Sequence, residues 1–140
     1  MISLELARRL RAAGMRWQPG DGDQFVVPDR ELDDVVFTVS EMTVEVRDIP
    51  GGRLIAFNGT VEWALDAVLQ HEVVWLPRES QLRELLGEAF VRLERDGDGV
   101  RCHADVAGQA RAFAAADAAD AYGLALLGRL RHDADHLLEG

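Results

Sequence analysis

Two histidines near the end of the chain have the spacing of a metal-binding pair. His132 and His136 lie four residues apart, and on a helix this spacing puts both imidazoles on one face. Asp133 and Asp135 are nearby sources of oxygen ligands. The leucine-rich stripe of the same helix falls on its opposite side, so a solvated helix end is the competing interpretation. Zinc sites normally have three or four ligands, and these two histidines are the anchors that the sequence provides.

The one cysteine of the chain is followed directly by a histidine. Cys102 and His103 fall within a predicted strand, where neighbouring side chains point to opposite faces. They therefore cannot act on each other as nucleophile and base, and the fold would have to bring another base to the thiol. If Cys102 points inward, it is a small buried hydrophobic residue. A single cysteine forms no internal disulfide, which favours a reducing compartment and a cytoplasmic location.

Motifs that identify common enzymes are missing from the sequence. There is no Gly-rich phosphate-binding loop, no GxSxG elbow, no CxxC pair and no HExxH helix. Segments 21–23 and 96–99 resemble fragments of calcium loops but lack the later glutamate, and Asp-Gly is also favoured in hairpin turns. The acidic segment 29–34 is typical of a solvated connection, and it is a second candidate surface for a partner. We predict no catalytic residue and no cofactor.

A tryptophan on the outer side of a predicted helix is the strongest sign of a binding surface. The apolar residues of segment 61–69 follow a helical period, and Trp63 projects away from them beside Asp66 and Gln70. Tryptophan is enriched at the energetic centres of interfaces. The alternative is that a neighbouring apolar segment covers the ring. We predict Trp63, Asp66 and Gln70 as partner-binding residues, so that Trp63→Ala would weaken binding and leave the fold stable.

The charge of the chain disfavours some classes of partner. Its 140 residues carry 15 basic and 25 acidic side chains, a formal net charge of −10, and every basic residue is arginine. An acidic chain repels phosphate backbones, and the sequence has no basic stripe with interleaved aromatic residues. We therefore expect no nucleic-acid partner, whereas a basic protein is compatible. The first residues contain no long apolar run, so neither a signal peptide nor a membrane span is expected.

The elements that position these residues follow from hydrophobic periodicity and from turn-forming residues. Helices are predicted over 4–13, 61–69 and 79–86 and from Asp117 onward. Strands are predicted over 25–27, 35–39, 43–47, 54–57, 73–76, 89–95, 100–106 and 109–115. This order predicts a single α+β domain over 1–140, with an antiparallel meander in the first half, an α-β-β-β-α order in the second, and about four helices. Pro77 is the only division that the sequence suggests, into sub-lobes 1–76 and 77–140.

The α-β-β-β-α order also occurs in double-stranded-RNA-binding domains. That fold binds RNA with a basic start to its final helix, and here Asp117 and Asp120 occupy this position. The order is therefore better interpreted as a common small α+β arrangement.

Four segments carry a resemblance to a known family. They are Leu4-x-x-Ala7-x-x-Leu10-x-x-Ala13-Gly14-x-x-Trp17, Phe57-Asn58-Gly59-Thr60-x-Glu62-Trp63-Ala64-Leu65-Asp66, Trp75-Leu76-Pro77-Arg78-Glu79-x-Gln81-Leu82-Arg83 and Ala121-Tyr122-Gly123-Leu124-Ala125-Leu126-Leu127. In these segments the chain resembles a family of short uncharacterised proteins from high-GC Gram-positive bacteria, some of which are labelled pilus assembly protein CpaE. The label implies a secretion-associated ATPase of the ParA/MinD class, from which this chain departs because it lacks a phosphate-binding loop. The resemblance implies one compact domain and assigns no catalytic residue.

The sequence supports two hypotheses of different classes. The first is a non-enzymatic interaction or regulatory domain that binds a protein partner, or itself as a homodimer. The second is a small-ligand or metal-binding protein, with or without enzymatic activity, that uses a cleft between sheet and helices. A third hypothesis is that the acidic chain mimics nucleic acid toward a basic partner.

Overall fold

A computed structural model describes residues 1–28, 36–39, 43–50, 52–58, 67–69 and 73–139, and for 43–49, 52–58, 67–69 and 134–139 it describes the backbone. The chain has the α+β fold that the sequence predicts. It divides into two compact units, one formed by Met1–Arg16 with Pro77–Gly140 and the other by Trp17–Leu76. No helix in the described part is both long and apolar enough to cross a bilayer.

The first unit begins with helix α1, Leu4–Ala12. The Ser3 hydroxyl caps this helix by accepting a 3.3 Å hydrogen bond from the N–H of Leu6, as expected for serine at this position. Helix α2, Glu79–Leu86, coincides with the predicted one. It ends at Gly87, whose φ of +55° suits glycine. The apolar residues that α1 and α2 bury are Leu6, Ala7, Leu10, Leu82 and Leu86.

A three-stranded antiparallel sheet follows α2. Its strands are β7, Phe90–Asp96, β8, Gly99–Val106, and β9, Gln109–Ala115, with β8 in the centre. The α-β-β-β-α order of this half is thereby confirmed. The β8–β9 turn has two central residues with positive φ, Ala107 at +55° and Gly108 at +78°. Two positive φ values in a two-residue loop define a type I′ hairpin turn, which matches the twist of the strands.

Helix α3, Ala118–Glu139, covers one face of this sheet. The Asp117 side chain caps it by accepting a 2.9 Å hydrogen bond from the N–H of Asp120. Two glycines allow close approach, because a Cβ at Gly123 would lie 2.8 Å from Leu6 Cδ2 and one at Gly128 would lie 3.1 Å from Phe113 Cζ. Phe113 therefore points toward α3, and the opposite face of the sheet carries the alternate side chains.

The second unit contains two further antiparallel sheets. Their strands are β1, Gln24–Val26, β2, Phe37–Thr38, β3, Thr43–Ile49, β4, Gly52–Asn58, β5, Ala67–Leu69, and β6, Val74–Leu76. One sheet has the strand order β2-β1-β6 and the other has the order β3-β4-β5. Only the second sheet is a sequential meander, so the strands of the first half are divided between two sheets.

The helix predicted over 61–69 is wrong at its end. Ala67–Leu69 is strand β5, and its residues pair with Leu54, Ile55 and Ala56 of β4. Three consecutive apolar residues suit a short strand as well as a helix face, and the backbone hydrogen bonds to β4 decide between them. The described residues therefore contain three α-helices, fewer than the number of about four that the sequence predicts.

Candidate functional site

The two edges of the β7-β8-β9 sheet differ in their protection against pairing with another chain. Strand β7 has an irregular register between Phe90 and Arg92, which leaves the Val91 side chain 51% exposed. The rest of this strand carries exposed charges, Arg92, Glu94, Arg95 and Asp96. Bulges and charged side chains are the devices by which natural edge strands avoid edge-to-edge association.

Strand β9 has no bulge, and it carries a single charged residue. Its seven residues, Gln109–Ala115, keep a regular register with β8 over their whole length. Four of them are alanines, none is proline, and Arg111 is the only charged residue. The Arg111 guanidinium lies over the Phe113 ring, 5.1 Å from its centroid, on the α3 side of the sheet. In the described part of the chain no strand pairs with the outer side of β9, and most side chains of this strand are small.

The turn decides which backbone groups of β9 point away from β8. In a two-residue hairpin, the residues that flank the loop form a hydrogen-bonded pair, here Val106 and Gln109. Bonding to the neighbouring strand then alternates along an antiparallel strand. The N–H and C=O groups of Ala110, Ala112 and Ala114 therefore point outward from the sheet edge, and these three alanines are exposed.

The open face of the sheet carries a small network of charged side chains beside this edge. His103 Nε2 lies 2.5 Å from Glu94 Oε1, and Arg92 Nε lies 3.7 Å from Glu94 Oε2. The hydrogen bond from His103 lowers the pKa of the Glu94 carboxyl, and the neighbouring arginines act in the same direction. Arg101 and Asp96 form a second ion pair at 2.8 Å. These ion pairs balance the charges of side chains on β7 and β8, and they include no residue of β9.

The structure separates Cys102 from His103, as the sequence predicts. The Cys102 side chain is fully buried on the α3 side, opposite Phe113 in the register. His103 contacts Glu94 on the open face. Burial raises the pKa of the Cys102 thiol, which keeps it protonated and unreactive at neutral pH. This cysteine is a core residue of the first unit.

A cleft of about 650 Å³ lies between α2, β7 and α3. The Arg83 guanidinium stacks over Phe90 at 4.4 Å from the ring centroid, and Phe90 meets Tyr122 edge to face at 5.6 Å. Among the described residues, no carboxylate forms an ion pair with Arg83. Glu79 and Glu84 also line the cleft. Burial raises the pKa of the Tyr122 hydroxyl, so this group is a neutral hydrogen-bonding group at the cleft.

An aromatic cluster forms the core around β1 and β6 in the second unit. Trp17 stacks on Trp75 at 6.5 Å and meets Phe25 at 5.4 Å, and Phe25 stacks on Phe37 at 5.4 Å. The Trp75 Nε1 is buried and has no acceptor in the described part of the chain. By contrast, the Trp17 indole donates to the buried carboxylate of Asp23.

The residues that the sequence singles out for binding are only partly visible. Trp63, Asp66 and Gln70 lie outside the described residues, as does the acidic segment 29–34. His132 is exposed on α3, and the side chain of His136 is not described. Within the described ranges, no group of three or more His, Cys, Asp and Glu side chains could hold a metal ion.

Comparison with models of protein families, with curated proteins and with solved structures finds no significant match. The resemblance to the family of short proteins labelled pilus assembly protein CpaE therefore stays a prediction.

The β9 edge escaped the sequence analysis because being an edge is a property of strand order. The hydrophobic pattern locates the strand correctly over 109–115 but does not say which neighbours it has. The composition of the two strands is the one signal in the sequence that could have pointed to this edge. Strand β7 carries five exposed charged or β-branched residues, whereas β9 consists mainly of alanine.

Proposed function

We propose that this chain is a non-enzymatic protein-binding domain that accepts an extended strand at the β9 edge. The observation that carries the proposal is the contrast between the two edges of one sheet. Strand β7 is shielded by its irregular register and its charges, whereas β9 is regular, exposed and nearly uncharged. Strand addition uses main-chain hydrogen bonds for affinity and side-chain fit for specificity.

The backbone of β9 provides the affinity in this proposal. Ala110, Ala112 and Ala114 each present one donor and one acceptor to an incoming strand. A typical protein hydrogen bond contributes a net of about 0.5–1.5 kcal/mol, so a short strand would bind reversibly. Methyl side chains at these positions leave room for the side chains of the partner strand.

The charge of the chain bears on which partners fit. A net charge of −10 repels nucleic acids, which favours a protein as the partner. A single cysteine forms no internal disulfide, which favours a reducing compartment. We therefore place the proposed activity in the cytoplasm of the producing cell, with a protein as the partner.

The proposal is tested by site-specific photo-cross-linking in the producing cell. A photoreactive amino acid is placed at Ala112, on the β9 edge, and in a matched variant at Val91, on the β7 edge. We expect a discrete adduct at position 112 and a much weaker one at position 91. Equal adducts at both edges, or none at either, would overturn the proposal.

A second candidate function is binding of a small zwitterion in the cleft around Arg83. The specific observation is a guanidinium that lies over the Phe90 ring, beside the buried Tyr122, without an acidic partner in the described residues. Arg83 would bind a carboxylate, and Glu79 with Glu84 would bind an ammonium group. A free amino acid or a peptide end carries both groups.

Calorimetric titration with the common amino acids tests this second candidate. We expect one of them to bind, with the binding heat lost in Arg83→Gln and retained in Arg95→Gln, whose side chain lies outside the cleft. Silence with every amino acid, or equal binding by both variants, would exclude it.

A further inference from the structure

We infer that the strand accepted at the β9 edge is β9 of a second copy of this chain, in antiparallel register about Ala112. The inference rests on the proposed function and names its partner. Pairing of this kind would join two three-stranded sheets into one sheet of six strands, related by a twofold axis that passes beside Ala112.

The register follows from the backbone groups that point outward. A twofold axis at Ala112 sets Ala110 opposite Ala114 of the second copy and Ala112 opposite itself. The N–H and C=O groups of these residues point away from β8 and have no strand partner among the described residues, so each of the three opposed pairs would be a hydrogen-bonded pair with two bonds. If the register were shifted by one residue, the outward N–H and C=O groups of each alanine would face a residue whose own N–H and C=O groups point toward β8. A shift by two residues would leave one outward residue of each copy without a partner.

The side chains on the open face also fit a second copy. Where the two β9 strands meet, the open face would carry only the methyl groups of the three alanines from each chain. Phe113 and Arg111 point to the other face, toward α3. No like charges would meet directly, which is the arrangement that destabilises strand pairs. Symmetric pairing is therefore compatible with the net charge of −10, which is carried elsewhere on the chain.

The neighbouring rows have complementary charges. On β8, Arg101 is opposite Ala114 and Asp105 is opposite Ala110. In the proposed register, Arg101 of one copy and Asp105 of the second copy would fall in the same row, separated by the two alanines. Three strand spacings amount to about 14 Å, so this pair would favour the register and add little affinity.

The α3 side of the joint would carry a cation–π arrangement. Arg111 would be directly opposite Phe113 of the second copy, and each guanidinium already lies over a Phe113 ring within its own chain. Between two Phe113 rings, the guanidinium would keep a cation–π contact with the ring of its own chain or with that of the second copy. The one charged residue of β9 would thus be accommodated without an acidic partner.

Disulfide trapping tests the register. In Ala112→Cys the two introduced thiols would be directly opposed, at a Cα separation of about 5.5 Å that suits a disulfide. In the control Ala110→Cys, the two introduced residues would be about 14 Å apart. The native Cys102 is buried and does not interfere. We expect mild oxidation to yield a covalent dimer from Ala112→Cys, none from Ala110→Cys, and a dimer again from the double variant Ala110→Cys with Ala114→Cys.

The mass of the purified full chain in solution provides the second measurement. We expect a dimer by light scattering, converted to a folded monomer by Ala112→Lys and left intact by Val91→Lys on the other edge. A monomeric wild-type chain at all concentrations, or equal trapping of Ala112→Cys and Ala110→Cys, would overturn the inference. If photo-cross-linking at Ala112 then captures a different protein, self-pairing fails while the proposed function stands.

Discussion

The Trp17 indole Nε1 donates a 2.9 Å hydrogen bond to Oδ2 of Asp23, a carboxylate that is only 4% exposed. The same oxygen accepts a 3.1 Å hydrogen bond from the N–H of Gly20. The carboxylate thus holds the turn before β1 to the aromatic cluster, because a buried charge needs hydrogen-bonding partners.

We expect Trp17→Phe to lower the free energy of unfolding more than Trp75→Phe does. Both changes remove similar ring volume from one stacked pair, but only the first removes a hydrogen bond to the buried carboxylate of Asp23. The difference should be about 1–3 kcal/mol. Urea denaturation of the two variants measures it, and equal losses would contradict the assigned role of the Trp17–Asp23 bond.

Gly99 is predicted to tolerate no side chain. A Cβ at this position would lie 2.5 Å from the backbone carbonyl oxygen of Ala115, which cannot move without disturbing β9. Gly99→Ala should therefore cost about 1–3 kcal/mol, the usual range for overpacking. Gly97→Asn is the control, because its φ of +60° suits asparagine and no atom lies within 4 Å of a Cβ there. Thermal denaturation that ranked Gly97→Asn as the more damaging change would refute this account.

The Cys102 thiol should be unreactive in the native chain. It is fully buried, and burial raises its pKa, so the reactive thiolate is scarce at neutral pH. A thiol reagent such as DTNB should label it only after unfolding, at a rate that rises with added denaturant. Rapid labelling without denaturant would show that the sheet opens around β8.

The contribution of Glu94 to stability should depend on pH in the acid range. Its pKa is lowered below the usual 4.5, first by the hydrogen bond to His103, so the folded state favours the ionised carboxyl. Stability from this group is then present above the usual pKa and is lost as the pH falls through the lowered one. We expect the wild-type chain to exceed Glu94→Gln in melting temperature at neutral pH and the gap to close below about pH 4. Glu84→Gln serves as the control, and a gap independent of pH would contradict the prediction.

Local signals predicted the first unit closely. Leu82 and Leu86 have helical spacing and are followed by Gly87, a pattern that predicts a helix ending where α2 ends. Alternation and the Ala107-Gly108 pair define β8 and β9 in the same way. The second unit was harder because its strand pairs join residues far apart in sequence, such as Phe25 with Trp75. No local pattern predicts that pairing, and Ala67–Leu69 shows how hydrogen bonds to another strand can override a helical period.

The candidate site was less predictable than the fold. The conspicuous residues were Trp63 and the histidine pair, since rare side chains attract notice in a sequence. The proposed surface instead consists of alanines whose backbone matters, and backbone groups carry no signal in the amino-acid letters. Only the sheet order, with β9 at an edge, distinguishes these alanines from others in the chain.

The length of the turn at Ala107 and Gly108 determines which face of the sheet each side chain of β9 points to. One inserted residue there would exchange the two sides of β9, aiming Phe113 away from Gly128 and burying Ala112 against α3. The same alternation along β9 therefore determines which side chains pack in the core and which backbone groups point toward a neighbouring strand. A change in one would change the other, so any homologous chain that keeps this core packing also keeps the same spacing of outward-pointing donors and acceptors.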